Sequence, residues 1–561
     1  MISLPWVRRV VLTGVLTVIG TNVTKAAVNL IIDNQSGSEI WLQWTGTSVL
    51  TGTVANAIGG GTTYIAPSDY NDNANGYQLS SFQSIDTNKY LIANYTQGGG
   101  RLWFTEGSSG FTFNNPGYTP ALETFSDINF TKRYDKIEAS ITGSTDDNID
   151  MTMLDGFSIP FTVTGYKSTN PAVPTQTLKG STTDKILSAL GAVAANPSAP
   201  APAGGYPAVT SYSPYLVINS NSVNANDTPV GSSGSFVRVI ANDQAVSPQN
   251  GADPVVQANG GQIPANYLYK GYAGYLSKMD GTAATGTFSG VTTVKGQFAG
   301  LGTKATDDAE RKQNYNLTAT FSATETMTMT NSQGVSTNYT GVMTLTGTTT
   351  LLEGPNSGTE THVVIKTPYA AMLAPTGIVG ANAGYMYSKD NGVTWSYTGV
   401  AGPQDNVFTW LNGDVLAGMN VGTIGSDKLF SGTINGTLYT NVKIGEIATQ
   451  DMFALGQVMA AANPGTSVYD YYFSYLQGTS DFYNDYAAAL YKLTDAYGFA
   501  YSDRIQGGQV SISWDATQAD ALDTIVITIL PDVVPEPGTM SLVLLAGGAW
   551  ALKRRSRRQT V

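Results

Sequence analysis

The absence of cysteine limits this fold most, because no disulfide and no cysteine-bound zinc can stabilise any part of the 561 residues. The chain must therefore hold its domains, roughly two to four for this length, by packing alone. A single histidine, His362, excludes a multi-histidine metal site and is the one residue through which a histidine-based triad could run. Acid–base chemistry then falls to the carboxylates.

Charge limits the partners. The chain has a formal net charge of -12, and only 12% of its residues are charged. Such a surface repels phosphate backbones, so we expect no nucleic-acid partner. A neutral polysaccharide remains a suitable ligand, and the 31 tyrosines fit such a surface.

The first 26 residues have the layout of a signal peptide. Arg8 and Arg9 precede the apolar run Val10–Gly20, and the small residues at Ala26 and Ala27 would admit a signal peptidase. The apolar run is too short to span a bilayer. We therefore expect an exported protein.

The C-terminal segment, residues 534–561, has a second pattern. Pro535, Glu536 and Pro537 precede the apolar stretch Met540–Leu552, which ends in a cluster of lysine and arginine. This order resembles the PEP-CTERM sorting signal of Gram-negative bacteria. The resemblance implies exosortase processing, transient membrane contact through a short apolar helix, and a final location at the cell surface, in the exopolysaccharide matrix or outside the cell. An ordinary tail anchor is the alternative.

Between these ends the pattern is mainly β. Alternating apolar residues in Val28–Asp33 and Glu39–Trp44, separated by a turn signal, predict an opening hairpin. The same alternation predicts four further strands at Arg101–Thr105, Tyr134–Ile141, Ile149–Leu154 and Ile159–Thr164.

Three segments have helical spacing instead. Polar residues from Ser181 can cap a helix that runs to Ala195. Asp451–Ala462 and Asp481–Tyr497 also repeat apolar residues at helical intervals. Residues 196–207, rich in proline and alanine, read as a loop or linker.

A β-rich insertion is predicted at about residues 215–425, where the chain becomes rich in threonine and glycine. Six apolar residues there share one parity, as the inward face of a strand pair would: Leu317, Ala319, Phe321, Ala323, Met327 and Met329. Glu325 interrupts the row. Ser388–Trp395 matches the Asp-box pattern, whose aspartate closes a tight turn, so we expect a structural role for it.

The candidate catalytic residues are Glu138 and Asp155, on two predicted strands separated by a polar turn. An odd register sum would place both carboxylates on one face, and a sum of 291 would make them diagonal neighbours, roughly 7–8 Å apart at the backbone. Inverting glycosidases use two carboxyls about 6.5–9.5 Å apart. An even sum would place the two residues on opposite faces. Acidic residues near turns are also commonly just solvated.

Other polar groups are weaker candidates. Asp146, Asp147 and Asp150 could hold calcium, as could Asp69–Gly76, although aspartate is expected in turns without any metal. Five tryptophans are possible sugar-stacking platforms, with core packing as the alternative: Trp41, Trp44, Trp103, Trp410 and Trp514.

Asp150–Pro160 resembles a stretch of thaumatin-like proteins and, more fully, the equivalent region of the β-1,3-glucanases of glycoside hydrolase family 64. Leu30–Gly37, Gly100–Phe104 and Tyr497–Asp503 agree in order. The resemblance implies inverting hydrolysis of β-1,3-glucan with Glu138 as general acid and Asp155 as general base, without metal or other cofactor. It also implies substrate contacts from residues around the cleft, among which we include Arg101, Trp44, Asp150 and Asp503.

The fold class implied is mainly β with a smaller α/β part. A thaumatin-like β-sandwich or barrel is expected at 27–175 with about 498–530. A mixed α/β domain follows at 176–497 and contains the β-rich insertion. The function implied is an endo-β-1,3-glucanase. The alternatives are a carbohydrate-binding protein without turnover and a structural protein of the cell surface or matrix.

Overall fold

The computed structural model describes residues 27–46, 51–55, 62–65, 76–82, 84–110, 112, 120, 127–154, 156–195, 216–219, 236–240, 272–283, 291–298, 313–330, 336–352, 358–369, 385–397, 406–465, 467–473, 475–477, 483–499, 502, 505 and 510–532. The signal and sorting segments, the linker 196–207, Asp69–Asn75, Asp155 and Asp503 lie outside these residues.

Strands make up 48% of the structure. In order they are β1 (Val28–Asn34), β2 (Ile40–Gly46), β3 (Thr51–Ala55), β4 (Thr62–Ile65), β5 (Tyr77–Gln78), β6 (Ser84–Asp86), β7 (Lys89–Glu106), β8 (Arg133–Ile141), β9 (Asp147–Met151), β10 (Gly156–Phe157), β11 (Phe161–Lys167), β12 (Gln176–Leu178), β13 (Leu216–Asn219), β14 (Phe236–Ile240), β15 (Val291–Phe298), β16 (Gln313–Thr330), β17 (Ser336–Leu351), β18 (Gly358–Pro368), β19 (Met386–Ser388), β20 (Ser396–Tyr397), β21 (Leu429–Ile434), β22 (Thr437–Lys443), β23 (Ser511–Trp514) and β24 (Leu522–Ile529).

The helices are fewer. They are α1 (Thr183–Ala195), α2 (Tyr272–Met279), α3 (Asn406–Asn420), α4 (Met452–Ala462), α5 (Val468–Tyr472) and α6 (Asp485–Tyr491). The predicted mainly β fold class is confirmed. Within the described residues, no helix combines the length and the apolar character that crossing a membrane requires.

The largest sheet curls into a nearly closed barrel with the strand order β12-β11-β24-β1-β7-β8-β9-β23. β1 and β24 are parallel neighbours, whereas the other pairs along this path are antiparallel. The two ends of the path meet where the side-chain amide of Gln176 donates to the carbonyl oxygen of Ser513 at 3.1 Å. Alternate residues of these strands point inward and form one apolar core.

The predicted opening hairpin is wrong. β1 pairs with β7 and β24, and β2 pairs with β5 and β7, so the first two strands are not partners. β7 explains the difference, because its first half pairs with β1 and its second half with β2. The register of β7 shifts between Gln97 and Gly100, and Gly99 has a φ of 54° there. A turn signal identifies a change of direction but not the partner of the next strand.

The predicted β-rich insertion contains a six-stranded sheet, β15 to β20, paired in chain order. Leu317, Ala319 and Phe321 pack in a core with residues of α2 and α3. The shared row of apolar residues then breaks, because the register shifts between Ser322 and Thr326. Beyond this bulge, Met327 and Met329 belong to a separate small cluster. The insertion also contains α2 and α3, which the sequence did not predict.

The other predicted helices are reproduced with one change. α1 and α4 match the predicted segments, but α6 begins at Asp485 instead of Asp481 and ends at Tyr491 instead of Tyr497. The residues beyond α6 form hydrogen bonds with other segments. Tyr497 forms an isolated β-bridge with Thr152, and the amide of Asp495 donates to the carbonyl oxygen of Lys179. These tertiary hydrogen bonds replace those that a longer helix would have made.

The Asp box has the predicted structural role. Asp390 accepts hydrogen bonds from the amides of Val393 and Thr394 at 3.1 and 2.8 Å, and Ser388 accepts one from Gly392 at 2.8 Å. The hydroxyl of Thr394 is the main cause that lowers the pKa of Asp390 to about 2. Both oxygens of the Asp390 carboxylate accept hydrogen bonds within this turn, so the box stabilises the β19–β20 hairpin.

Candidate active site

One polar row crosses the outer face of five adjacent strands of the barrel. Its members are Cα partners in register, one each from β2, β7, β8, β9 and β23: Thr45, Arg101, Glu138, Asp150 and Ser511. Neighbouring strands are about 4.8 Å apart, so the row extends for roughly 19 Å. The neighbours of the row members along the strands include seven residues of the apolar core: Trp44, Leu102, Ile137, Ala139, Ile149, Met151 and Ile512. The alternation of the strands therefore places this polar row on the outer face and the apolar core on the inner one.

Glu138 lies at the centre of this polar row. Its Oε1 accepts a hydrogen bond from Arg101 Nε at 2.9 Å and lies 3.7 Å from Lys136 Nζ. The glutamate side chain is 38% exposed, so solvent and a ligand can reach it. The predicted candidate is thus accessible and ion-paired at the same time.

Of the two registers considered from the sequence, the β8–β9 pair has the even one. Glu138 lies opposite Asp150 and Ile137 opposite Met151, an even register. A regular hairpin with this register would place Asp155 on the opposite face. However, β9 ends at Met151, so the strand alternation does not extend as far as Asp155. Asp155 itself lies outside the described residues, and its pairing with Glu138 remains a prediction.

The segments on both sides of Asp155 are fixed by hydrogen bonds. Before it, the Met153 amide donates to the carbonyl oxygen of Tyr497 at 2.9 Å, and the hydroxyl of Tyr486 donates to the Met153 carbonyl at 2.8 Å. After it, Ser158 is bound through its amide, its carbonyl and its hydroxyl. The chain on either side of the predicted base is therefore anchored to the barrel framework.

Asp135 is the anchor for this second segment. Its Oδ2 accepts hydrogen bonds from the amides of Ser158 at 2.9 Å and Ile159 at 3.1 Å, and its Oδ1 accepts one from Lys136 at 2.8 Å. Burial raises the pKa of Asp135 to about 6, although these backbone hydrogen bonds oppose the shift. The buried carboxylate of Asp135 therefore connects β8 to the segment that follows Asp155.

Arg133 binds the same segment from the start of β8. It donates to the carbonyl oxygen of Ser158 at 2.9 Å and forms ion pairs with Glu106 at 2.9 Å and Asp532 at 2.5 Å. Burial would raise the pKa of Asp532, but hydrogen bonds from Arg133 and Thr183 hold it below its usual range. The end of the described chain is thus fixed beside the site.

A cavity of about 40 Å³ lies next to the polar row. Its lining includes Trp103, Asp135 and Lys136 from β7 and β8, and Arg238 from β14. Arg238 is 1% exposed and lies 4.1 Å from the ring centroid of Tyr134. The insertion, through β14, therefore contributes a buried cation to the surroundings of the site.

The predicted tryptophan platforms are mostly core residues. Trp44, predicted to contact substrate, is 6% exposed and belongs to the apolar core, so that prediction is wrong. Its position on β2 turns it to the inner face, next to Thr45 on the outer one, and its indole donates to the Tyr95 hydroxyl. Trp514 belongs to the same core, which confirms the packing alternative for it, whereas Trp103 is buried but lies outside that core cluster. The side chain of Trp410 lies outside the description.

One of the suggested calcium ligands, Asp147, is already used by the protein itself. Asp147 is fully buried, and its carboxylate accepts hydrogen bonds from the amides of Thr142, Gly143 and Ser144. Among the residues that the structure describes, no group of three or more acidic or histidine side chains could hold a metal ion. His362 is an exposed residue of β18.

Residues 26–200 match one family model, which is described as β-1,3-glucanase, glycoside hydrolase family 64. The sequence resemblance is confirmed for this part of the chain. The match includes β1 to β12 and hence Arg101, Glu138, Asp150 and Asp155. It supports the predicted endo-β-1,3-glucanase class. No curated protein matches the chain.

Solved structures of family 64 enzymes are similar to this chain over most of its length. A laminaripentaose-producing β-1,3-glucanase in complex with laminaritetraose is 14% identical, with a TM-score of 0.44, covering 91% of this chain and 99% of its own. The β-1,3-glucanase domain from Clostridium beijerinckii is 11% identical, with a TM-score of 0.37 and coverages of 90% and 98%. A Paenibacillus barengoltzii enzyme complexed with laminarihexaose is 12% identical, with a TM-score of 0.36 and coverages of 90% and 75%.

Two nearby residues were missed by the sequence analysis. Lys136 shares the parity of Glu138 on one strand, so the alternation alone could have placed it on the same face. Arg238 had no such signal, because its approach depends on the pairing of β14 with β10, more than 75 positions away in the chain.

Proposed function

We propose that this protein is an exported endo-β-1,3-glucanase that hydrolyses its substrate with inversion. The observation that carries the proposal is the exposed Glu138 in the middle of the polar row, within the region that matches the β-1,3-glucanase family. The row is wide enough for several sugars, and its hydroxyl, guanidinium and carboxylate groups suit the hydroxyls of a neutral glucan.

The proposed mechanism is a single displacement by water. One carboxyl of the pair Glu138 and Asp155 donates its proton to the glycosidic oxygen as the bond to the anomeric carbon breaks. The other carboxylate takes a proton from the water that attacks that carbon from the opposite side. The family resemblance gives Glu138 the first role and Asp155 the second. Arg101, Asp150 and Asp503 would bind sugar hydroxyls around them.

The substrate test uses a panel of glucans with purified residues 27–532. We expect release of oligosaccharides from laminarin, a β-1,3-glucan, and no release from β-1,4-glucan. Inversion predicts that the first product observed by ¹H NMR is the α-anomer, which then mutarotates. Initial formation of the β-anomer would contradict the proposed mechanism, and binding of laminarin without any product would contradict the enzymatic function.

Binding without turnover is the second candidate function. The observation in its favour is that Oε1 of Glu138 already lies within 4 Å of two cations, Arg101 and Lys136. In a protein that only binds glucan, these ion pairs would simply fix a polar surface. The same panel separates the candidates, because a binding protein retains laminarin and releases no sugar from it.

We also propose that residues 533–561 retain the exported protein at the surface. Truncation after Asp532 is expected to give a freely secreted protein that remains folded. β24 ends at Ile529, and Asp532 still binds Arg133 and Thr183 in the shortened chain. Comparing the cell-bound and medium fractions checks this result. Equal retention of the full and truncated chains would contradict the sorting role.

A further inference from the structure

Trp103 lies next to the polar row, on the same face of β7 as Arg101. It lies on β7 two residues after Arg101, and its Cα partner on β8 is Lys136. Only 4% of Trp103 is exposed, yet it lies outside the apolar core cluster of the barrel. Its indole nitrogen donates to the hydroxyl of Thr45 at 2.9 Å, which fixes the orientation of the ring.

Two cations share the ring of Trp103. The guanidinium carbon of Arg101 and the ammonium nitrogen of Lys136 each lie 5.9 Å from its centroid. These distances are within the range of about 6 Å in which an aromatic ring attracts a cation. Both cations also reach Oε1 of Glu138, at 2.9 and 3.7 Å. The ring and the carboxylate therefore hold the same two long, otherwise flexible side chains.

We infer that Trp103 is a positioning residue for Glu138, acting through Arg101 and Lys136. The inference rests on the proposed hydrolysis. The charged groups that face Glu138 are Arg101 from β7, Lys136 from its own strand and Asp150 from β9. The two cations stabilise the carboxylate form of Glu138 and fix its direction, while Asp150 opposes the first effect. Loss of the ring removes one of the two groups that hold these cations and leaves Asp150 in place.

The test compares Trp103→Leu, Trp103→Phe and the wild type in the pH profile of laminarin hydrolysis by the full chain. Trp103→Leu is expected to lower kcat about ten- to a hundredfold, with KM changed less than about threefold. The limb of the profile that reports ionisation of Glu138 should move to higher pH. Trp103→Phe keeps a ring face beneath the cations and should restore the wild-type profile.

The limb that moves, acidic or alkaline, also assigns the role of Glu138. If the acidic limb moves, Glu138 is the base; if the alkaline limb moves, Glu138 is the acid. Either result supports the inference. A folded Trp103→Leu with both limbs at their wild-type positions would overturn it.

Trp44→Leu is the matched control. Trp44 is similarly buried, also donates to a hydroxyl, and lies on the inner face of the neighbouring strand. Its loss should lower the melting temperature without moving either limb. An equal movement in the Trp44 and Trp103 variants would overturn the inference, because it would show a general structural effect.

Two further measurements cover failure of the main variant. If Trp103→Leu does not fold, Lys136→Met removes one cation and should move the same limb in the same direction; an unmoved limb would overturn the inference. If the wild type hydrolyses no glucan, the proposed function fails, and ¹³C NMR of the Glu138 carboxyl then tests the inference alone. Its titration in Trp103→Phe should match that of the wild type, and in Trp103→Leu or Lys136→Met should lie at higher pH.

Discussion

Glu138→Gln is expected to abolish hydrolysis of laminarin, with a loss of at least about 1,000-fold in kcat. Glutamine has the same size but can neither donate a proton to a leaving group nor accept one from water. The Glu138 side chain is 38% exposed, so loss of its ion pairs should change the free energy of unfolding by less than about 1 kcal/mol. The measurement is the rate of reducing-end formation together with a urea unfolding curve. Asp155→Asn should have a similar effect on the rate.

Glu325→Gln is the control for this experiment. Glu325 is 32% exposed and forms an ion pair with Lys366 at 2.6 Å, so it resembles Glu138 in chemistry and exposure. It lies on β16 of the insertion, away from the polar row. We expect wild-type rates from this variant. Full activity in Glu138→Gln would refute the assignment of the catalytic pair.

Asp135→Ala is expected to lower the free energy of unfolding by about 3–5 kcal/mol, because it leaves the amides of Ser158 and Ile159 buried without an acceptor. Both amides follow Asp155 closely, so the segment after the predicted base would lose its anchor. Urea unfolding monitored by circular dichroism checks the stability. A change below about 1 kcal/mol would show that another group can replace this carboxylate.

The Asn variant of Asp135 separates charge from packing. The pKa of Asp135 is raised from 3.8 to about 6 in the folded protein, so the folded state binds this proton more tightly than the unfolded state does. The stability contributed by the protonated group is fully present below pH 3.8 and is lost as pH rises through about 6. Asp135→Asn cannot lose a proton. The stability of the wild type relative to this variant should therefore fall by up to about 3 kcal/mol between about pH 4 and pH 7.

Urea unfolding of both proteins at several pH values provides this comparison. The difference between the two proteins is informative because other carboxylates titrate in the same range and cancel in it. A difference that stays constant over the whole range would contradict the burial of a titrating Asp135.

Local patterns were predictable from the sequence where neighbours in the chain determine the structure. α1 follows from polar capping residues and helical spacing, α4 follows from helical spacing, and the Asp box follows from hydrogen bonds within eight residues. Glu138 on an outer face follows from the alternation of β8. Each of these features depends on contacts between residues that are close in sequence.

Pairings over long distances were not predictable. The partner of β2 is the distant β7, where Ile40 lies opposite Glu106. The register of the β8–β9 pair depends instead on a local turn, in which the amides of Thr142 and Gly143 donate to Asp147. Trp44 faces the core because it shares the parity of Leu42 on β2, whereas Thr45 lies on the outer face. Alternation assigns residues to two faces but does not say which tryptophan faces a ligand.

The position of β24 has a consequence for how the chain acquires its structure. β24 lies between β1 and β11 in the middle of the barrel wall, and Asn29 is the partner of Thr524. Contacts this distant in sequence form slowly, because a very long loop must close first. On a ribosome, or in a channel that passes the chain from its N-terminus, the wall keeps a gap beside its first strand until Leu522–Ile529 emerges. The nascent protein must therefore avoid aggregation while that edge is open, which gives any holding chaperone a defined strand to cover.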